Sequence, residues 1–474
     1  MKNIKNSMFV LIAEPISVVP AGGWLRSYMV LPYLVNYLKS QAFNDINVYI
    51  PFNTIKQAIE RLLKHYDYKT AKALVYEDLR NILMKLNIDY SLKKLNELIS
   101  YAAEIVEHQN RLGEIFRMRI MGFGYFYISN FVQYENSTLN ALLRNIVEEK
   151  ERVYVYAMHE DFPALYSLYY LSKYHKGDLM GAHLIHTPIG VYSPLRASLL
   201  LNTSPFTTLS NLIISNYIKN RYAYLFRKRI LKVILGISPA SFYDQDLISL
   251  IKKYNIKLAT IYPANAFDHK LFKLRKIEGK EPLAVFYARL IPSKGIFELL
   301  RAWKIVESEI PNARLRVMGH FDWDEHRREF FKLIRELNLR NIEFLGFVKD
   351  RDELYRLVSE AKVLIYPSHE DAFSLVVLES LALGIAVVAY NIPAIKWVYK
   401  GLSNVLAVPE YDYVALARET IRVLKMSDHE YIKLHENNAV KKFLELHSSW
   451  ENVAKAEFNL LMPYIESSLS RVRR

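Results

Sequence analysis

The sequence contains no cysteine, and this absence excludes several kinds of chemistry at once. Without thiols there are no disulfide bonds, no thiolate zinc ligands and no cysteine nucleophile. No window of about 18 uninterrupted apolar residues occurs, so no membrane-spanning helix is predicted. The apolar run at residues 8–13 is too short for a signal peptide and is typical of a first buried strand. We therefore expect a cytoplasmic protein that is soluble or peripheral to a membrane.

Acidic residues are few relative to basic ones, and the formal net charge is +14. Such a charge favours anionic partners. No Asp or Glu lies between Asp178 and Asp244, whereas Lys and Arg alternate with aromatic residues over 213–232. This pattern is typical of a helix on an anionic membrane surface. A solvated helix face in a basic protein explains it equally well, and both interpretations stay open.

A nucleic-acid-binding protein is the alternative that the charge suggests. The sequence has no recognisable motif for reading bases, and its cations form no compact stripe outside 219–232. We therefore expect no nucleic acid partner.

Strand-like runs alternate with helical patterns along most of the chain. This alternation predicts βαβ units and parallel sheets covered on both faces, hence an α/β fold. Ten strands are predicted, and a polar hinge at 270–282 separates them into two sets. We expect a first parallel-sheet domain at 1–272, with a helical insertion at about 54–150, and a second at 273–445. Residues 446–474 are expected to form a helix with a basic tail that packs back on the first domain.

Ligands of open parallel sheets bind where strands end and helices begin, so polar and glycine residues in those turns are candidate site residues. Gly22 and Gly23 follow the first strand and let backbone N–H groups approach an anion, although a tight turn is the commoner reason for a glycine pair. Arg289 and Lys294 follow a later strand and precede a helix that opens near Gly295. Two cations beside a helix N-terminus can hold a diphosphate, since Arg supplies a fork and Lys a point charge.

A third turn lies in "SHEDAFSLVVLESLALG", where Asp371 is predicted to be the N-cap of a helix that starts near Phe373. The N–H groups of Phe373, Ser374 and Leu375 are then available to an anion. Glu379 lies about 12 Å farther along the helix. A ligand that touches both ends is long, with hydroxyls to donate and a phosphate between them, as in a nucleotide sugar. Taken alone, Glu379 is more simply a structural carboxylate bonded to backbone.

Together these segments resemble the family-4 glycosyltransferases of the GT-B fold. The third turn is similar to that family's "PSxxEGFGLxxLEAMAxGxPV", in which seven residues separate two Glu. "FYARLIPSKGIFELLRAW" resembles "GRLxxxKGxxxLIxA", "YPANAFDHKLF" resembles "IPNGVDxxxF", and "VYAMHEDF" resembles "HxHDW". The resemblance spans most of the chain and implies two Rossmann-like domains that face each other across a cleft.

The resemblance also implies a role for each matching residue. Arg289 and Lys294 bind the diphosphate of the donor, and Glu379 accepts hydrogen bonds from the ribose hydroxyls. Asp371 holds the transferred sugar, which His159 reaches from the first domain. The other residues that the resemblance places at the donor site are Gly22, Gly23, Phe347, Val348, Glu370, Phe373, Ser374 and Leu375.

The chain departs from the family pattern at several of these positions. The family's first Glu is Asp371 here, and Glu370 adjoins it, so either carboxylate is a candidate. Asp371 is favoured because it keeps the family's register to Glu379. The glycines of "EGFG" are Ala372 and Ser374. After the next strand "NIPAIKW" replaces "GGxxE", and we expect that loop to be structural.

The implied activity is transfer of a hexosyl-type sugar from a UDP- or GDP-sugar, with retention at the anomeric carbon and without a metal. Arg and Lys can stabilise a leaving diphosphate where other enzymes use Mg²⁺. We expect a lipid-linked or membrane-surface acceptor, reached through 213–232 and the basic C-terminal tail. The alternatives are a soluble acceptor, such as a sugar phosphate or glucan, and a sugar-nucleotide epimerase.

Overall fold

Two parallel sheets of six strands each organise the protein. The computed structural model describes residues 7–19, 22–41, 43, 45–50, 52–87, 92–117, 150–159, 162–186, 216, 218–242 and 245–470. The first sheet consists of β1 (Ser7–Ile12), β2 (Ile46–Tyr49), β3 (Arg152–Ala157), β4 (Asp178–Ile185), β5 (Leu231–Gly236) and β6 (Lys257–Thr260). The second consists of β7 (Leu283–Tyr287), β8 (Arg314–Met318), β9 (Ile342–Gly346), β10 (Val363–Tyr366), β11 (Ala386–Tyr390) and β12 (Val405–Val408).

Helices connect the strands and cover the sheets. In the first half they are α1 (Gly22–Ser40), α2 (Phe52–Leu62), α3 (Tyr68–Leu86), α4 (Leu92–Arg117), α5 (Phe162–Tyr174), α6 (218–227) and α7 (Gln245–Tyr254). In the second they are α8 (Ile296–Glu309), α9 (Asp324–Glu336), α10 (Arg351–Ser359), α11 (Leu375–Ala382), α12 (Pro393–Val398), α13 (Tyr413–Lys425), α14 (Asp428–His435), α15 (Asn438–Leu446) and α16 (Trp450–Ser470). The predicted helical insertion is present as α2, α3 and α4. Its later part, residues 118–149, lies outside the described residues.

Burial on both faces explains why the strands have near-continuous apolar sequences. Every residue of β1, β7, β10 and β11 is buried. The edge strands β2 and β6 have no buried residue. All ten predicted strands are present, and the structure adds β6 and β12, two four-residue strands at the edges of the sheets.

A buried polar contact holds the C-terminal helix α16 against the first half of the chain. Glu457 of α16 forms an ion pair with Arg26 of α1 and accepts a hydrogen bond from the Tyr156 hydroxyl at 2.7 Å. Arg26 Nε also donates to the Ala264 carbonyl, in the segment between the two sheets, at 2.8 Å. Because Arg26, Tyr156 and Glu457 are fully buried, this contact joins α1, β3, α16 and the connecting segment.

Candidate active site

The strand orders place the predicted site residues at two topological switch points. The orders are β2-β1-β3-β4-β5-β6 and β12-β11-β10-β7-β8-β9. The direction in which successive strands are added to the sheet therefore reverses between β1 and β3 and between β7 and β10. Gly22 follows β1 and His159 follows β3, whereas Lys294 follows β7 and Asp371 follows β10. Since ligands of open parallel sheets bind at such points, these turns form the candidate site.

The two switch points meet where the halves of the chain face each other. Gly22 begins α1, and a Cβ built on it would lie 3.2 Å from Leu375 Cδ1 at the start of α11. Nearby, the Ser238 hydroxyl of the first half donates to the Ala372 carbonyl of the second. Two helix N-termini from different halves are thus adjacent, an arrangement that favours an anion between them.

A close approach between two loops positions Lys294. The next residue, Gly295, has a φ of 72°, and a Cβ at this position would lie 2.0 Å from the Pro367 carbonyl oxygen. Only glycine permits both this conformation and this contact. Lys294 Nζ donates to the Glu370 carbonyl at 2.8 Å and to Asp371 Oδ2 at 3.1 Å.

Hydrogen bonds fix both carboxylate oxygens of Asp371. Oδ1 accepts from the N–H groups of Ala372 at 2.9 Å and Ser374 at 3.1 Å, and Oδ2 accepts from the Tyr366 hydroxyl at 2.6 Å. Burial raises the pKa of this carboxyl, but the charge of Lys294 and the hydrogen bonds outweigh burial and hold the pKa below its usual value. Asp371 is therefore an ionised carboxylate in a fixed position.

Helix α11 begins later than predicted, at Leu375 rather than near Phe373, and Asp371 is not its N-cap. The reason is that Asp371 Oδ1 bonds the N–H groups of the turn, including those of Phe373 at 3.4 Å and Ser374 at 3.1 Å. Ser374 is the N-cap residue and has a φ of 67°, a conformation that glycine adopts more easily. Among the described residues, nothing accepts from the N–H groups of Leu375 and Val376, so these two remain available to an anion.

The other two predicted residues of this turn differ in accessibility. The Glu370 side chain is half-buried and has no partner among the described residues. Phe373 is 3% exposed and packs edge-on against the Tyr399 ring, with 6.0 Å between the ring centroids. Phe373 thus contributes to the core beneath the turn, whereas Glu370 is partly accessible to solvent.

Glu379 lies inside α11 and is held by two residues of α10. Its Oε1 accepts from the Tyr355 hydroxyl at 2.7 Å and from Arg351 at 3.2 Å. In the described part of the chain Oε2 has no hydrogen-bond partner. Burial raises the pKa of this carboxyl, and Arg351 and Tyr355 reduce that increase. Glu379 is therefore bonded to side chains rather than to backbone and keeps one oxygen for a ligand.

Arg289 does not contact Lys294, Asp371 or Glu379 in this structure. Its side chain is 49% exposed and lies 3.5 Å from Asp322, which follows β8. Burial raises the pKa of Asp322, but His320, Arg289 and Lys64 outweigh it and lower that pKa to about 2. The structure thus brings Lys294 and Asp371 into contact and leaves Arg289 and Glu379 with other partners on the same edge of the sheet.

His159 lies beside the two predicted glycines of the first half. Its Nδ1 is 3.5 Å from Glu14 Oε2, and its ring stacks on His186 with 4.7 Å between centroids. A Cβ at Gly23 would lie 2.4 Å from His159 Nε2, so glycine at this position makes room for the imidazole. The buried Glu14, which also accepts from Thr54 Oγ1 at 3.1 Å, orients His159 next to α1.

The predicted base-pocket residues Phe347 and Val348 follow β9, and a residue of the helical insertion lies against them. The His65 ring stacks on Phe347 with 4.2 Å between centroids and an interplanar angle of 19°. Beside it, Lys64 Nζ is 3.8 Å from Asp322 Oδ1. Val348 is half-buried and packs on the core. The insertion therefore contacts the second half at the loops that follow β8 and β9.

The polar residues of this region that were not predicted include Glu14, Asp322, Arg351 and Tyr355. Glu14 and Asp322 each follow a buried strand within a few residues, so a search for carboxylates at strand ends would have found them. Arg351 and Tyr355 lie one turn apart on α10 and carry no motif. Only the structure identifies them, through their contacts with Glu379.

The basic aromatic stretch at 213–232 is described only in part, since residues 213–215 and 217 lie outside the described residues, as does the basic tail at 471–474. In the described part, Tyr222 and Phe226 are buried in the core of the first half. The exposed side chains there are the cations Arg227, Lys228 and Arg229 and the neutral Asn216 and Asn220. These aromatic rings are therefore not available for insertion into a membrane.

The described residues contain no group of three or more His, Asp or Glu side chains arranged to hold a metal ion. No helix in that part of the chain is long and apolar enough to cross a bilayer.

The architecture is the GT-B fold, with two parallel Rossmann-like sheets that face each other across a cleft. The same fold is found in an Anabaena protein, HepE, solved in complex with UDP and glucose. It aligns with a TM-score of 0.54 over 96% of this chain and 99% of that one, at 14% identity. An identity this low supports the fold alone.

The comparisons of sequence point to glycosyltransferases. Residues 268–440, which include the second sheet, match the family model described as "Glycosyl transferases group 1". An uncharacterized glycosyltransferase of Methanocaldococcus jannaschii is 33% identical over 39% of this chain and 45% of its own length. The phosphatidyl-myo-inositol mannosyltransferase of Mycobacterium tuberculosis is 30% identical over 28% of this chain and 35% of its own. The match thus spans less than half of each relative.

Proposed function

We propose that this chain is a retaining family-4 glycosyltransferase that moves a hexosyl-type sugar from a nucleotide sugar without a metal cofactor. The observation that carries the proposal is the contact between Lys294 and Asp371 at the mouth of α11, with Glu379 farther along the same helix. Lys294 and the N–H groups of the helix can bind a diphosphate. The carboxylates of Asp371 and Glu379, one on each side of it, can accept hydrogen bonds from hydroxyls. A nucleotide sugar presents its groups in that order.

The diphosphate lies beside Lys294 and the available N–H groups of Leu375 and Val376. Arg289 is half exposed, and its 3.5 Å contact with Asp322 is weak, so its guanidinium can turn towards a phosphate. At the far end of α11, the free Oε2 of Glu379 accepts from the ribose hydroxyls.

Charge stabilisation is the main demand of the reaction. Cleavage of the glycosidic bond leaves positive charge on the sugar ring and increases negative charge on the departing nucleotide. Lys294 and the N-terminus of α11 stabilise the nucleotide, and Asp371 and His159 contact the sugar from opposite halves. Glu14 keeps the imidazole of His159 in place. Retention of the anomeric configuration follows from the family resemblance.

A lipid-linked or membrane-surface acceptor is the second part of the proposal. It is supported by the relative named for phosphatidyl-myo-inositol and by the exposed cations Arg227, Lys228 and Arg229. Since Tyr222 and Phe226 are buried, the attraction to an anionic surface is electrostatic and weakens as salt is added. A cytoplasmic location at the membrane face fits this acceptor.

Donor binding and turnover test the first part. A thermal-shift screen over UDP-, GDP- and ADP-sugars identifies the donor, because a bound ligand stabilises the folded state. We expect Lys294→Ala to lower kcat about 10²-fold or more, as for loss of an oxyanion donor. The exposed Lys332 gives a matched control, Lys332→Ala. Turnover near the wild-type value in Lys294→Ala would contradict the diphosphate assignment, and an altered free nucleotide sugar formed without an acceptor would indicate an epimerase.

Flotation with phosphatidylglycerol vesicles at low salt tests the second part. We expect the protein to float with the vesicles, and the triple variant Arg227→Gln, Lys228→Gln, Arg229→Gln to float less. If neither protein binds the vesicles, the membrane-surface acceptor is wrong and a soluble acceptor, such as a glucan, takes its place.

A further inference from the structure

Helix α12 lies in the segment "NIPAIKW", which replaces the family's "GGxxE". No residue of this segment takes part in the proposed donor site. The loop follows β11, the second neighbour of β7 in the sheet, and so starts on the same edge as Asp371 and Lys294. Helix α12 also packs against the short turn Pro239–Phe242 of the first half. It is therefore close to the cleft.

A cavity of about 280 Å³ lies beside α12 and opens to solvent. The residues that line it include Trp397, Lys396, Tyr399, Lys400 and Val405. Trp397 is 49% exposed, more than any other tryptophan of the chain. A tryptophan carries a large apolar surface that is usually buried, so an exposed ring at the wall of a cavity indicates a surface for a ligand.

The charge around the cavity has one sign. Lys396 Nζ lies 5.5 Å from the centre of the Trp397 ring, and Lys400 lines the same cavity. No carboxylate is among the lining residues. Lysine ammonium groups act as point charges for phosphates and carboxylates. A cavity lined by an aromatic ring and two cations therefore suits a ligand with an apolar ring face and anionic substituents.

The cavity is connected to the turn that carries Asp371. Tyr399, one of its lining residues, donates from its hydroxyl to the Ser374 carbonyl at 2.8 Å. The Tyr399 ring also packs edge-on against Phe373. A ligand in the cavity would thus lie on the other side of Tyr399 from the proposed donor site.

We propose that this cavity binds an anionic carbohydrate, namely part of the acceptor chain. The inference rests on the proposed function, because a second carbohydrate site beside the donor site is useful to an enzyme that extends a glycan. The Trp397 ring stacks on the C–H face of a sugar ring, and Lys396 and Lys400 pair with its carboxylates or phosphates. Ligand sites commonly combine an aromatic wall with a few polar groups in this way.

Calorimetric titration with two matched glycans tests the inference, with tetragalacturonate as the anionic chain and maltotetraose as the neutral one. We expect the wild-type protein to bind tetragalacturonate at least tenfold more tightly than maltotetraose. Trp397→Ala should weaken that binding at least tenfold, and the double variant Lys396→Ala, Lys400→Ala should weaken it and reduce its dependence on salt. Trp323→Ala, at the other exposed tryptophan, should leave the affinity unchanged.

Three results would overturn the inference: no binding of tetragalacturonate, equal binding of both glycans, or equal effects of Trp397→Ala and Trp323→Ala. The inference would also be overturned if UDP competed with tetragalacturonate in the wild-type protein and this competition were lost in Trp397→Ala. The cavity would then be a nucleotide site. Thermal shifts with nucleotide sugars separate this inference from the proposed function. If nucleotide sugars raise the melting temperature of the wild-type protein but tetragalacturonate does not bind, only the cavity assignment fails.

Discussion

Asp371 and Glu370 are adjacent carboxylates in different surroundings, and a pair of substitutions distinguishes their roles. Asp371 pairs with Lys294 and Tyr366, whereas Glu370 has a half-buried side chain without a partner in the described part of the chain. Asp371→Asn removes the charge opposite Lys294 but leaves Oδ1 to accept the backbone N–H groups. We expect kcat to fall about 10²-fold or more while the protein stays folded.

Glu370→Gln is the control for this prediction. It changes a side chain that forms no hydrogen bond or ion pair with a described residue, so kcat and the melting temperature should stay close to the wild-type values. Steady-state kinetics with the donor found by thermal shift compare the two variants. A larger loss in Glu370→Gln than in Asp371→Asn would transfer the role to Glu370.

At this scale the sequence predicted which residues lie at strand ends but not which of them pair. Lys294 was expected at the diphosphate and Asp371 at the transferred sugar, and the two side chains are in contact. The partner of Arg289 was not expected, because Asp322 follows another strand and no local pattern records the contact. The partners of Glu379 were missed for the same reason, since α10 reaches it only through tertiary packing.

Two glycines with similar φ allow the cost of backbone strain to be distinguished from the cost of a steric clash. One of them lies in a turn of the candidate site. Gly295 and Gly401 have φ values of 72° and 80°. A Cβ at 295 would lie 2.0 Å from the Pro367 carbonyl oxygen, whereas at 401 it would meet nothing within 4 Å. We expect Gly401→Ala to lower the free energy of unfolding by about 1–2 kcal/mol through strain alone. Gly295→Ala should cost about 1–3 kcal/mol more, because the turn must move away from β10.

Urea unfolding measures both losses, and donor binding gives a second readout. Because Lys294 precedes Gly295, the displaced turn should also weaken binding of the donor in Gly295→Ala but not in Gly401→Ala. Equal free energies of unfolding for the two variants would show that the contact with Pro367 does not constrain the turn.

Elements with a clear apolar pattern were predicted, whereas two of the four edge strands, β6 and β12, were not. The buried runs of β1, β7, β10 and β11 stand out because both of their faces are covered. The edge strand β6 has the sequence "KLAT", which carries no such signal. The start of α11 was misplaced by two residues, because the Asp371 side chain competes with the helix for the N–H groups of the turn.

For the whole molecule, the buried pair Arg26–Glu457 is expected to dominate the attachment of α16. Both side chains are fully buried, and Tyr156 also donates to Glu457. Glu457→Gln leaves the Arg26 charge buried without its counter-ion, so we expect a loss of about 3–5 kcal/mol in the free energy of unfolding. Denaturant unfolding measures this loss.

Glu451 on the same helix provides the comparison. It accepts a 3.3 Å hydrogen bond from Tyr37 at an exposed position, so Glu451→Gln should cost less than about 1 kcal/mol. If the two variants were equally stable, the buried pair would not be what holds α16 to the first half.

The arrangement of the two halves was predicted only in part from the sequence. Alternation of strands and helices predicted two sheets, and the last helix was expected to pack on the first domain. Its pairing with α1 was not predicted, because it depends on residues more than 400 positions apart.

Two buried histidines of the second half make stability dependent on pH. His435 accepts at Nδ1 from Asn404 at 3.2 Å, and burial, with the charges of Arg275 and Lys280, lowers its pKa from 6.5 to about 3. Burial likewise lowers the pKa of His447 to about 4. Both side chains are fully buried and are therefore neutral in the folded protein near neutral pH.

Acidification should therefore destabilise the protein through these histidines. Between pH 6.5 and about 4 the unfolded chain binds protons that folded His435 and His447 do not, so the free energy of unfolding falls as pH falls. Each such histidine contributes about 1.4 kcal/mol per pH unit in this window. We expect His435→Gln to make the slope shallower by about that amount, while His429→Gln, at an exposed position, leaves it unchanged. Urea unfolding at pH 7, 6 and 5 gives the three slopes. The same slope in His435→Gln and in the wild-type protein would mean that His435 takes up its proton in the folded state as well, and that burial does not hold it neutral.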